Sequence, residues 1–129
     1  MEGGTLDEHK RHEEGTKARR AVLGDAHVDR AEACKTEFTK EFQELITRHA
    51  WGEIWTRPGL DKKTRSLITI AMLVALNRPD ELRLHLRGAL RNGAKKDEIK
   101  EVLLQTAVYC GVPAANSAFH VAGEVMEKG

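Results

Sequence analysis

The chain has 129 residues, and its 21 Lys and Arg nearly balance 20 Asp and Glu, for a formal net charge of +1. That length suits one domain with a single core, and that balance gives no global support to a nucleic-acid or membrane-surface role. No apolar run reaches the ~18 residues of a membrane span, the opening MEGGTLDEHKRHEEG is charged throughout, and Cys34 and Cys110 stand far apart in no metal-like spacing. The expectation is a cytoplasmic protein without a disulfide framework, a zinc ribbon or a bound metal.

One domain is read over residues 1–129, with 1–6 disordered and Gly3-Gly4 as a linker remnant. From about Asp7 to Leu23 the chain is charged and weakly amphipathic, which predicts a peripheral helix stopped by Gly24. Between Thr36 and about Trp51, Phe38, Phe42, Leu45 and Ile46 fall at helical spacing, opposite Lys40, Glu41 and Glu44. That spacing predicts an amphipathic helix with its core face on those four residues. The segment WGEIWTRPGL breaks the pattern and is read as a loop or a short turn of helix. Trp51 and Trp55, four apart, are either a packing staple or, in the sharper reading, a wall of a ligand pocket.

Asp61 is placed to cap the next helix, KKTRSLITIAMLVALN, which is apolar on nearly every side from Leu67 to Leu76 and is expected in the middle of the molecule. Arg65, one turn before the apolar run, is either a surface arginine or a guanidinium at the rim of the core, placed for two-point pairing with a carboxylate. Pro79 starts a helix whose buried stripe is Leu82, Leu86, Ala89 and Leu90, and His85 lies beside that stripe. From Asp61 to Lys100 ten Lys and Arg face five Asp and Glu. That surplus suits an anionic small molecule, an acidic partner surface or a solvated helix face. With no alternating strand in the chain, the fold class is all-α, a compact array of about six helices.

The last third, DEIKEVLLQTAVYCGVPAANSAFHVAGEVME, reads as a helical hairpin: Asp97 as cap, a first helix to about Tyr109, Gly111 as stop, and Pro113 in the first turn of a second helix. Residues equally far from the reversal lie at similar depth, so Glu101 is level with His120, and Gln105 with Asn116. Glu101 and His120 are each roughly 14 Å from the turn. The expectation is a polar seam in an apolar hairpin. A carboxylate opposite an imidazole there is a general acid/base pair or a structural pair that fixes hairpin register. Cys110, at a helix end where the dipole disfavours a thiolate, is a poor nucleophile.

The strings WGEIWTRPGL, TRSLITIAML, LHLRGALRNG and YCGVPAAN, with RRAVLGDAHVDRA near the front, resemble the 4-carboxymuconolactone decarboxylases of the protocatechuate branch (β-ketoadipate pathway) of aromatic catabolism. The resemblance runs from about Arg11 to the C-terminus. The wider alkylhydroperoxidase-D-like superfamily carries a Glu-x11-Cys-x2-Cys-x3-His relay, which falls here on Glu101, Pro113, Asn116 and His120. Without the cysteine pair there is no disulfide to cycle, so a peroxidase is disfavoured.

What the resemblance implies is decarboxylation of 4-carboxymuconolactone to the 3-oxoadipate enol-lactone without metal or organic cofactor. The departing carboxylate is conjugated through a ring double bond to the lactone carbonyl, so the substrate is its own electron sink. It further implies that Arg65, with Asn116, grips the acetate arm, and that His85 or His120 donates a hydrogen bond to the lactone oxygen. His120, oriented by Glu101, delivers the proton, with His85 as second choice and Trp51 beside the substrate. The partners implied are a lactone dicarboxylate and other copies of the chain, as a trimer or hexamer, with no nucleic acid and no membrane. Two other readings stay open: a related helical protein acting on another small molecule, and a noncatalytic helical oligomer.

Overall fold

The computed structural model describes residues 4–128, and among them it holds seven α-helices, one π-helical segment and no strand. The chain divides into two compact units, residues 1–60 and 61–129. The first contains α1 (Gly4–Leu23), α2 (Asp25–Ala33), α3 (Lys40–Ile46) and a π-helix, π1 (Thr47–Ile54); the second contains α4 (Lys62–Ala75), α5 (Pro79–Arg91), α6 (Lys96–Tyr109) and α7 (Val112–Lys128). The backbone of residues 4–6 belongs to α1, where disorder is expected from the sequence; residues 1–3 of that expected stretch lie outside the described residues.

In the first unit α1 is no peripheral helix, because it packs along π1 and buries Ala18, Arg19, Val22 and Leu23. Two glycines allow the approach: a Cβ on Gly15 would run into the Thr47 carbonyl oxygen, and one on Gly52 into the Arg11 carbonyl oxygen. Gly52 is therefore a close-contact residue inside a helical segment, and the expected break comes only after Ile54. The core face predicted for residues 36–51 is corrected as well. Phe38 is 96% exposed, Phe42 and Leu45 are exposed, and α3 has no buried residue. Burial shifts instead to Thr47 and Trp51, because π1 widens the turn and moves the inward face off the 3.6-residue period. Trp51 and Trp55 are both buried and stack with ring centroids 5.0 Å apart at 23°.

In the second unit the Asp61 cap forms as expected: the Thr64 N–H donates to Asp61 Oδ1 at 2.7 Å. Helix α4 is buried along one face only, at Ser66, Ile70 and Val74, while Ile68, Met72 and Leu76 are exposed. These buried positions meet Leu82, Leu86 and Ala89 of α5, Ile99 and Leu103 of α6 and Ala118, Val121, Ala122 and Val125 of α7 in one core. Each large side chain so buried is worth about 1.5–3 kcal/mol against exposure. The Asn92 amide donates to the buried Ser66 hydroxyl at 2.9 Å, tying the end of α5 to the first turns of α4.

Candidate functional site

The reversal expected between α6 and α7 is present. Helix α6 ends at Tyr109, Gly111 takes φ 98°, a conformation side chains disfavour, and Pro113 lies in the first turn of α7. The cap of α6 differs from expectation. Asp97 is already helical and points to solvent, while Glu98 Oε1 accepts from the Lys95 N–H at 2.9 Å and Glu98 Oε2 from Lys63 Nζ at 3.0 Å. Those two hydrogen bonds, the backbone one foremost, hold the Glu98 carboxyl below its ordinary range.

The polar seam is corrected. Glu101, Gln105, Asn116 and His120 are all exposed, and among the described residues no hydrogen bond or ion pair joins Glu101 to His120. The reason is rotation. One residue turns a helix by about 100°, and Glu101 stands two residues from both Ile99 and Leu103, which puts it about 200° from the buried stripe. His120 stands two residues from both Ala118 and Ala122, with the same result. Equal depth in the hairpin is not a shared face.

Glu101 and Gln105 do share a face, as their spacing requires, and rim an open groove of about 400 Å³ between α4 and α6. Leu67, Ile68, Ala71 and Val102 line it, so a carboxylate and an amide stand over an apolar floor. A second cavity of about 240 Å³ lies between α6 and α7 beside Lys96, Lys100 and Phe119, and a small one of about 20 Å³ lies near Asn77 and Ser117. A fourth, of about 190 Å³, is in the first unit around Arg19. Arg65, His85, Asn116, His120 and Trp51 line none of the four.

Arg65 is half-buried in the first turn of α4 beside the buried Ser66, at the rim of the core as one of its two readings has it. His85 is half-buried on α5 with its Nδ1 shielded from solvent. Sequence reading passed over Arg19. Its signal is position: Arg19 and Leu23 are four apart, as are Ala18 and Val22, so the arginine lies within the buried stripe of a helix that otherwise reads as solvated.

No helix among the described residues is long and apolar enough to cross a membrane. Comparison with known proteins matches residues 40–124 to the carboxymuconolactone decarboxylase family, a stretch that runs across the division between the two units. The chain is 48% identical over 122 residues to a 4-carboxymuconolactone decarboxylase of Acinetobacter baylyi, covering 95% of this chain and 91% of that protein. It is 48% identical over 119 residues to the nitrosuccinic acid decarboxylase npaB of Metarhizium robertsii, covering 91% and 83%. A 48-residue sequence of a 4-carboxymuconolactone decarboxylase of Pseudomonas putida matches along its whole length at 56% identity, over 37% of this chain. With a family match across most of its length and near-half identity to relatives aligned almost end to end, the chain belongs to the carboxymuconolactone decarboxylase family.

Proposed function

We infer that this protein is a carboxy-lyase that decarboxylates 4-carboxymuconolactone to the 3-oxoadipate enol-lactone. The observation that carries the reading is the 48% identity over 95% of the chain to a protein of that activity. Breaking the bond to the departing carboxylate sends its electron pair through the ring double bond into the lactone carbonyl. The resulting dienolate takes one proton at the carbon next to that carbonyl. The reaction so written calls for no metal or organic cofactor. The protein's part is to hold the retained carboxylate, leave the departing one poorly solvated, and supply the proton.

For the proton we assign His120, with His85 as the second donor; for the retained carboxylate, Arg65 with Asn116. Among the described residues Glu101 makes no hydrogen bond or ion pair with His120, so it can serve as its orienting carboxylate only from a neighbouring copy. The exposure of Glu101 and His120 leaves both able to reach a substrate, and desolvation of the pair then has to come from the substrate itself or from neighbouring protein. The burial of Trp51 against Trp55 supports its packing role over the ligand-wall role. We also assign a cytoplasmic homo-oligomer. Large apolar side chains left exposed on the second unit, Met72, Leu76, Leu104 and Val108 among them, support the assembly, and the free thiols of Cys34 and Cys110 fit a reducing compartment.

A second reading rests on the equal identity to the nitrosuccinic acid decarboxylase. Nitrosuccinate and 4-carboxymuconolactone share one fragment: a carbon that bears both a carboxylate and an acetate arm, attached to an electron-accepting system. The substrate class is thus a 2-substituted succinate, and the accepting group is what differs. Incubating the protein with each acid beside enzyme-free controls, and following CO2 with the organic product, separates the readings. Faster turnover of the lactone supports the first, turnover of nitrosuccinate alone the second, and turnover of neither removes both.

A further inference from the structure

The stretch RRAVLGDAHVDRA contains a charge that the assignments above leave unused. Arg19 is 6% exposed and lines the cavity of about 190 Å³ in the first unit, together with Arg20, Lys35, Glu32, His12, Thr16 and Thr47. The other two strong cations there are compensated: Arg20 by Asp25 and Asp29 at 3.1 and 2.8 Å, and Lys35 by Glu32 at 3.0 Å. Arg19 is not. Its Nη2 donates to the neutral Gln43 amide oxygen at 3.3 Å, its Nε is buried with no hydrogen-bond partner, and among the described residues no carboxylate is within ion-pair range of it. Burial pulls the guanidinium below its usual value, Glu32 raises it and Arg20 lowers it. An arginine keeps its proton even so, which leaves a buried positive charge that feels Glu32 at a distance but has no carboxylate in direct contact among the described residues.

We propose that this cavity is a carboxylate-binding site, with Arg19 as the counter-ion for one end of a small dicarboxylate. The volume is that of about six waters in the liquid, room for a small organic acid and too little for a polymer. The hydroxyls of Thr16 and Thr47 donate to the carbonyls of His12 and Gln43, so the N–H groups of Arg19, with those of Arg20 and Lys35 at the wall, are the donors an anion meets, while the one carboxylate at that wall, Glu32, is held by Lys35. A guanidinium presents two parallel donors that match a carboxylate. The site depends on the first unit's own charges. Were the bound acid the substrate's retained arm, Arg19 would take that role in place of Arg65 and Asn116, and this identification rests in addition on the decarboxylase reading.

The probe is succinate, titrated calorimetrically into the full chain, with its neutral dimethyl ester and chloride as controls. Wild type binds succinate and not the ester, and Arg19→Gln weakens succinate by at least about tenfold. Thr16→Glu plants a carboxylate three residues before Arg19 on α1, so it abolishes succinate binding and raises the melting temperature. This second variant keeps the test sound should Arg19→Gln fail to fold. Absence of succinate binding at millimolar concentration, equal binding of the ester, or undiminished binding by either variant overturns the site. Succinate competing with the lactone, with a raised KM and a kept kcat in Arg19→Gln, identifies the substrate as the acid; succinate binding with wild-type KM in that variant identifies a separate acid. Intact succinate binding in a protein that turns over no lactone refutes the reaction and leaves the site standing.

Discussion

Gly15→Ala tests the packing of α1 on π1, because two opposing effects of known size meet at that position. Alanine is favoured over glycine inside a helix by about 1 kcal/mol. Against this, the new methyl would sit on the Thr47 carbonyl oxygen and close to the Gly52 nitrogen, both backbone atoms that no rotamer change moves aside. Relief requires the helices to part by ~1 Å, enough to forfeit a quarter to a half of each dispersion contact across the seam. Overpacking of this kind costs about 1–3 kcal/mol, and with backbone on the receiving side the upper half applies, so the net is about 1–2 kcal/mol destabilising. For a chain of this size that is a fall of roughly 4–8 °C in melting temperature. Gly123→Ala on α7 is the control: nothing lies within 4 Å of its added Cβ, so it stabilises by about 0.5–1 kcal/mol. Thermal and urea unfolding of both variants is the assay. Gly15→Ala as stable as wild type, or an equal shift in the two variants, would refute the close-approach argument. Gly52→Ala combined with Gly15→Ala should cost less than the sum, since one separation relieves both clashes.

Leu86→Ala, at a position with no solvent exposure in the core of the second unit, should lower stability by about 2–5 kcal/mol in urea unfolding. Acid should destabilise the protein in a defined window. The Asp61 carboxyl, held down chiefly by the Thr64 N–H, and the Glu98 carboxyl, held down chiefly by the Lys95 N–H, lie below their ordinary 3.8 and 4.5. Their stabilisation is complete above those unfolded values and disappears as pH falls through the folded ones. The melting temperature should therefore drop below about pH 4.5, and Asp61→Asn with Glu98→Gln should flatten the drop. For catalysis, His120→Ala should cut kcat about 10²–10⁴-fold, Glu101→Gln by less, and His85→Ala by less than His120→Ala. Near-normal lactone turnover in any one removes that residue from the assignment.

Much of the second unit is legible in the sequence because each signal there is local. Asp61 caps, Pro79 opens a helix, Gly111 turns, and Leu82, Leu86 and Ala89 form a stripe that no other arrangement buries as well. The first unit is less legible. A periodic pattern assumes 3.6 residues per turn, and π1 abandons that period at Thr47, so the extrapolated core face ends on an exposed Phe38 while Trp51 turns inward. Close approach of two backbones at Gly15 and Gly52 leaves no mark in composition, since glycine reads first as punctuation.

For the site, the sequence gives depth and withholds direction. Glu101 and His120 are level along the hairpin, yet the apolar residues that would have fixed their rotation, Ile99 with Leu103 and Ala118 with Ala122, were themselves in view two positions away. Taken with those stripes, the acid and the imidazole face outward, and outward is where the chemistry places a further demand. A carboxylate loses CO2 readily only when water does not stabilise it, and a groove as open as the one under Glu101 does not exclude water. Leu104 and Val108 are exposed on α6, and Val112 and Phe119 on α7, the two helices that carry the pair. Leu104 and Val108 stand three and seven residues after Glu101, on its own face of α6, so whatever covers those two side chains also shields Glu101 from solvent.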